Sequence, residues 1–219
     1  MLRIILDNKK VTFEEALNKQ FEIFQIFAKH GAITHIRGKR KKYIAASEIT
    51  KDYIRKVLAK KIQLDLADLY DLNSSRIGFG LWLPPLSFGR ASALSIRFGS
   101  PKITGNDVII LDADSSIISS KYSEVIQVYY NILFELIFLV DPTDVIFYTH
   151  ELKQKMEDED YDYGFIMYKR GERLKELGNG NGVKLDEIGN GYLWKADFGS
   201  YENGLANVVE TWKPELATV

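Results

Sequence analysis

Residues 122–140, YSEVIQVYYNILFELIFLV, are closed by Asp141-Pro142 and followed by the apolar run Asp144–Tyr148. The fold turns on this stretch. Its apolar residues read as one helix, and the Asp-Pro pair ends it, because proline cannot continue the hydrogen-bond ladder. Gln127, Asn131 and Glu135 recur every fourth residue and make one polar stripe. That spacing predicts a core helix with one wetter edge. A membrane span is the competing reading, but Val125–Val140 is shorter than the roughly 20 residues a bilayer needs.

Strand signals stand on both sides of this helix. Before it come Ile77–Leu83, ended by Pro84-Pro85, the alternating run Ala91–Phe98, and the short run Val108–Leu111. Turn residues separate the three, which predicts an antiparallel meander. After the helix come Asp144–Tyr148, Tyr163–Tyr168, Val183–Ile188 and Tyr192–Phe198. Gly189-Asn190 between the last two is a two-residue hairpin signal.

Residues 2–6 read as another strand. Thr12 and Glu15 form a capping box ahead of a helix whose apolar face includes Phe13, Leu17, Phe21, Phe24, Phe27 and Ala28. His30-Gly31 ends it. Thr34–Lys42 is polar and basic and reads as a loop. Thr50 can cap a second helix with Ile54, Val57, Leu58 and Leu64 inward. Leu205, Val208, Val209 and Trp212 mark a short amphipathic C-terminal helix. Strands and helices segregate along the chain, which argues α+β: a mostly antiparallel sheet with helices packed on one face. No linker or repeat interrupts it, so residues 1–219 are expected to form a single domain.

Composition bounds the function. The chain has 219 residues, nearly half of them apolar, with 29 basic and 30 acidic side chains and no cysteine. Such a chain can bury a sizeable core and has no disulfide or thiolate metal site. The absence of cysteine fits a reducing compartment. The apolar run at residues 2–6 is too short for a signal-peptide core, so a cytoplasmic location is expected.

Signals for catalysis are sparse. There is no H-E-x-x-H, no G-x-S-x-G and no P-loop. Gly178, Gly180 and Gly182 lack dinucleotide spacing and read as a turn. No cofactor is expected. His150-Glu151 at a strand end, with Asp112 and Asp114 after another strand, could assist a metal, but carboxylates at strand ends also serve as turn formers. His30 and His35 lack a carboxylate nearby in sequence. A positive charge at a helix C-terminus gives His30 a structural reason to exist.

Charge is segregated along the sequence. Lys29–Lys61 holds eleven Lys or Arg and two acids, whereas Asp107–Asp162 holds thirteen acids and three bases. The bland account is solvated faces. The basic loop at residues 37–42 could touch phosphate, although it has few aromatics and the chain pI is near 6.3. The acidic stretch, with Asp112, Asp114, Glu157, Asp158, Glu159 and Asp160, could instead imitate a phosphate backbone. Tyr161 and Tyr163 beside it suit an interface. Leu86 and Phe88, in an apolar loop stiffened by Pro84-Pro85, are the candidate apolar contacts.

Residues 78–151 resemble the immunity protein 52 family of bacterial polymorphic-toxin systems. The resemblance is carried by Gly89-Arg90-Ala91-Ser92-Ala93-Leu94-Ser95-Ile96-Arg97-Phe98-Gly99, by Asn106-Asp107-Val108-Ile109-Ile110-Leu111 and by Asp141-Pro142-Thr143-Asp144-Val145. Gly164-Phe165 and Gly191-Tyr192-Leu193 also fit. The family's Trp-x-Gly motif is represented by Trp82-Leu83-Pro84, without the glycine. The resemblance implies a non-enzymatic α+β protein that binds a cognate toxin domain, often a restriction-endonuclease-like DNase, and blocks it. It implies no membrane and no nucleic-acid partner. The alternatives that stay open are a nucleic-acid-binding module using residues 37–42 and a metal-dependent enzyme around Asp112, Asp114, His150 and Glu151.

Overall fold

The computed structural model describes residues 1–7, 12–37, 43–64, 77–82, 91–98, 107–113, 115–156, 163–171 and 183–216. Its centre is an antiparallel eight-stranded sheet. The strands are β1 (Leu2–Leu6), β4 (Ile77–Trp82), β5 (Ala91–Phe98), β6 (Asp107–Ala113), β7 (Asp144–Phe147), β8 (Ile166–Arg170), β9 (Val183–Ile188) and β10 (Gly191–Ala196). Their order is β4-β5-β6-β1-β7-β8-β10-β9, and every pairing is antiparallel. The expected meander is β4-β5-β6. The first strand of the chain sits inside the sheet, between β6 and β7.

Register explains the core. Successive side chains alternate between faces of a strand, so paired residues share a face. One row runs Leu94, Leu111, Leu2, Phe147, Ile166, and the next runs Ile96, Ile109, Ile4, Val145, Tyr168, Leu193. Every residue in both rows is fully buried. Each such aliphatic or aromatic side chain contributes roughly 1.5–3 kcal/mol by leaving water.

Helix α4 (Tyr122–Val140) lies over these rows. Tyr129 stacks on Phe147 with ring centroids 4.6 Å apart. The Tyr122 hydroxyl donates to the Ala196 carbonyl at 2.6 Å. Asp141 ends the helix in the left-handed region, at φ 46°, and its N–H reaches the Ile137 carbonyl at 3.0 Å. Aspartate tolerates that conformation better than most side chains. Helix α1 (Phe13–Lys29) packs beside α4. Its capping box forms as read: the Thr12 N–H donates to Glu15 Oε2 at 2.7 Å, and the Glu15 N–H donates to Thr12 Oγ1 at 3.2 Å. Helix α2 (Lys51–Leu64) follows Thr50, whose hydroxyl accepts from the Tyr53 N–H at 3.2 Å.

The β9–β10 hairpin turns at Gly189-Asn190. Only Gly189 has positive φ, 57°, which is the type II′ pattern and needs glycine first. Helix α6 (Tyr201–Leu216) is longer than the short C-terminal helix expected, with Leu205 and Val208 buried.

Three readings are corrected. Thr34–Lys42 is not wholly a loop: β2 (His35–Arg37) pairs with β3 (Tyr43–Ala45) as a small second sheet. His150-Glu151 does not end a strand but opens a helix, α5 (His150–Met156). A further helix, α3 (Ser115–Ser120), precedes α4 where none was predicted.

Candidate interaction surface

Helix α4 is apolar almost all round, yet only part of it can face the sheet. Beyond its first turn, where Glu124 is exposed, its outward positions recur at intervals of four, three and four: Gln127, Asn131, Phe134 and Phe138. The first two are polar, and the Gln127 amide donates to Asn131 Oδ1 at 2.8 Å. The last two are phenylalanines, 45% and 65% exposed. Their rings meet edge to face, 6.0 Å apart at 69°. A contiguous apolar pair in water marks a contact surface more often than a lone exposed leucine would.

Beside the phenylalanines, α4 is fastened to α1. Glu135 Oε1 lies 2.8 Å from Lys29 Nζ and 2.6 Å from His30 Nε2. His30 therefore has a carboxylate partner, 105 residues away in sequence. These hydrogen bonds, from Lys29 first and His30 second, hold the Glu135 carboxyl below its ordinary value of 4.5. A depressed carboxylate pKa stabilises the fold above the unfolded-state value, and that stability is lost as pH falls through the folded-state value. The urea midpoint of the wild type should thus exceed that of Glu135→Gln at pH 7, and the two should converge below pH about 4. A gap that persists at pH 3 would show that the ionised carboxylate is not the cause.

Past this ion pair the surface opens into a groove of about 830 Å³. Ile26, Ala28, Ile33, Ala46, Ile49 and Leu139 line it, with Glu22, Gln25, Lys29, Thr34 and Ser47 among the polar lining. Lys29 belongs to both the groove and the Glu135 contact, and Leu139 adjoins Phe138 in sequence.

A second charged cluster lies at the other end of α4. Lys184 and Lys195 sit 5.0 and 5.1 Å from the centre of the Tyr130 ring. Lys195 also donates to Gln127 Oε1 at 3.0 Å, and Asp186 and Asp197 balance the two ammonium groups at 2.8 and 3.4 Å. Burial pushes the Asp186 carboxyl up. Cation and carboxylate pair off locally, so this cluster fastens the hairpin to the helix.

The structure treats the sequence-predicted contacts unevenly. Asp114, Glu157, Asp158, Glu159, Asp160, Tyr161, Leu86 and Phe88 lie outside the described residues, as do residues 38–42 of the basic loop. Asp112 stands on β6, its backbone opposite Ala93. Tyr163 is half-buried and packs against the core. Of the residues in the metal reading, Glu151 Oε2 accepts from the Tyr201 hydroxyl at 3.0 Å, and Gln154 donates to His150 Nε2 at 3.1 Å. Burial pushes the Tyr201 phenol up to about 12, which keeps it a neutral donor. Among the described residues no three His, Asp or Glu side chains gather as a metal site would require. Sequence reading missed Phe134 and Phe138. The signal available was their offset of three residues from Asn131 and Glu135, which puts them at the border of the polar stripe.

The architecture is that of an α+β protein with a central antiparallel sheet, helices laid over its apolar face and an exposed aromatic patch on the outermost helix surface. No family model and no curated protein matches the sequence. Among solved structures the chain is similar to the Pseudomonas aeruginosa T6SS protein PA0821, with a TM-score of 0.50 and 9% identity, over 96% of this chain and 75% of that one. At that identity the likeness is one of fold.

Proposed function

We propose that this chain is a type VI secretion-associated immunity protein of the immunity protein 52 kind, which binds a cognate toxin domain in the cytoplasm and neutralises it by stoichiometric contact, without catalysis. The observation that supports this most is the fold, which it shares with a T6SS protein over nearly its whole length. The residues that resemble the immunity family fall on the elements building that fold: β5, β6, the end of α4 and the glycines Gly164 and Gly191. The toxin that fits best is a restriction-endonuclease-like DNase. A DNA-cleaving site must be basic, and the acids at 157–160 carry the opposite sign.

Calorimetry at physiological salt, against the toxin domain encoded beside this gene, tests the reading. A one-to-one complex that abolishes toxicity is expected, and no binding would overturn it. Nuclease–immunity complexes reach dissociation constants of about 10⁻¹³ M and below, so competition titration is the suitable format. A variant carrying Glu157→Lys, Asp158→Lys, Glu159→Lys and Asp160→Lys should associate about tenfold more slowly at low salt, and the difference should shrink as salt is raised. Equal rates at low salt would remove the acidic run from the interface and leave the inhibitory role to be judged by the complex itself.

A further inference from the structure

We propose that Asn190-Gly191 is a deamidation site held shut by the fold, opened when the tip of the β9–β10 hairpin lifts from the end of α4. This does not rest on the toxin reading. In an Asn-Gly pair the backbone nitrogen reaches the side-chain amide readily, because glycine has no Cβ to crowd the approach. The Gly191 nitrogen attacks Asn190 Cγ, the Asn190 amide nitrogen leaves as ammonia with the Gly191 amide proton, and a succinimide ring closes. Water then opens the ring. Hydrolysis at Cγ leaves aspartate. Hydrolysis at the backbone carbonyl leaves isoaspartate, whose main chain runs through the side-chain carbon.

Each reacting part is exposed to water or within reach of it, yet restrained. Asn190 is exposed. Its Nδ2 donates to Asp141 Oδ1 at 3.1 Å, and Arg170 Nη2 lies 3.4 Å from the other oxygen of that carboxylate. Ring closure requires the planar Asn190–Gly191 peptide to turn as a unit, so that its nitrogen meets Cγ. The carbonyl of that peptide accepts from the Gly171 N–H at 2.8 Å. Gly191 itself is paired with Ile188 on one side and Arg170 on the other. Reaction therefore requires the tip to open, breaking both the Asp141 and the Gly171 hydrogen bonds.

The product keeps the tip from closing as before. Conversion replaces the donor that faces Asp141 by a second carboxylate, and like charges at this distance repel. Arg170 already pairs with Asp7 at 2.7 Å and with Asp141, so it would face a third acid. Opening is reversible, whereas conversion is one-way. Asn203-Gly204 supplies a reference within the same chain. It lies in α6, where the Gly204 N–H donates to the Ser200 carbonyl at 2.9 Å, so its reaction reports opening of that helix instead.

Peptide mapping by mass spectrometry of the full chain, kept in mildly alkaline buffer, tests this, with Asn190 and Asn203 followed in the same sample. In the folded wild type Asn190 should convert about tenfold or more slowly than in the same chain unfolded in urea, since two hydrogen bonds must open first. Asp141→Gly removes the carboxylate and keeps the left-handed helix end, which glycine adopts freely. It should convert Asn190 about three- to tenfold faster than the wild type, the factor that one lost hydrogen bond corresponds to, with Asn203 unchanged. Asn190→Asp, the product made directly, should show a lower urea midpoint than the wild type at neutral pH, where both carboxylates are ionised. Folded wild type converting Asn190 as fast as the unfolded chain would overturn the proposal, and that comparison stands whether or not Asp141→Gly folds. A folded Asp141→Gly that converts Asn190 no faster, or that speeds Asn190 and Asn203 equally, would overturn it too, the latter by assigning the reaction to opening of the whole fold. An unchanged midpoint in Asn190→Asp would overturn the like-charge consequence.

Discussion

Gly191→Ala should destabilise the protein by about 3 kcal/mol or more, a loss at the upper end for a single methyl group. A Cβ at this position would lie 2.1 Å from the Lys169 carbonyl oxygen and 2.8 Å from the Arg170 Cα. Both atoms are backbone of β8, the strand to which β10 is paired through Gly191 and Arg170. The clash can be relieved only by pulling β10 away from β8. Gly164 repeats the situation beside β7, where a Cβ would stand 2.3 Å from the Phe147 carbonyl oxygen. The comparison that isolates the cause is Gly171→Ala. Gly171 has φ +81° but open space around its Cβ, so its alanine pays only the left-handed backbone cost of about 1–2 kcal/mol. Urea unfolding followed by tryptophan fluorescence, to which the buried Trp194 contributes, orders the three variants. If Gly191→Ala proved no worse than Gly171→Ala, the close approach of the two strands would be wrong.

The second large effect concerns a pair of charges in the sheet. Asp144 on β7 and Lys169 on β8 are directly opposite in register, and the lysine ammonium donates to the carboxylate. The lysine is only 6% exposed. Removing the carboxylate leaves a buried cation, and breaking such a pair costs about 3–5 kcal/mol. Asp144→Ala should show that loss at pH 7. Replacing both partners by apolar residues of similar size, Asp144→Leu with Lys169→Met, should recover most of it, because no uncompensated charge remains. The double-mutant cycle through Asp144→Leu and Lys169→Met should return a coupling of about 3 kcal/mol or more, at the upper end for a contacting pair. Strict additivity of the two single losses would mean that the charges do not stabilise each other.

Local chemistry was readable from the residues. Thr12 and Glu15, the Gly189-Asn190 turn, the apolar face of α1 and the stop at Asp141-Pro142 are short-range patterns, and each stands where its spacing predicts. Pairings made at long range were not readable. Nothing near Leu2–Leu6 says that its neighbours are Asp107–Ala113 and Asp144–Phe147. His35–Arg37 and Tyr43–Ala45 have three residues each, too few for alternation to show. The six- and seven-residue helices α3 and α5 are mixtures of polar and apolar residues with fewer than two full turns, too short for a period to repeat. For the surface, the difficulty was different. A helix as apolar as α4 offers periodicity no contrast, so its polar stripe marked the wet edge without revealing that Phe134 and Phe138 share it. His30 looked solitary because its carboxylate comes from another helix.

The position of β1 also has a consequence for how the chain is made. Translation proceeds at about 5–20 residues per second in vectorial order. One partner of β1 ends at Ala113 and the other at Phe147, so Leu2, Ile4 and Leu6 must wait roughly 5–21 seconds on the ribosome for the first neighbouring strand and roughly 7–28 seconds for the second. Closing the sheet then demands loops of more than a hundred residues, which slows the search relative to a helical bundle of equal size. Until β6 is made the nascent segment is an apolar strand with both edges open, and until β7 is made one edge stays open, the kind of client that a ribosome-associated chaperone shields.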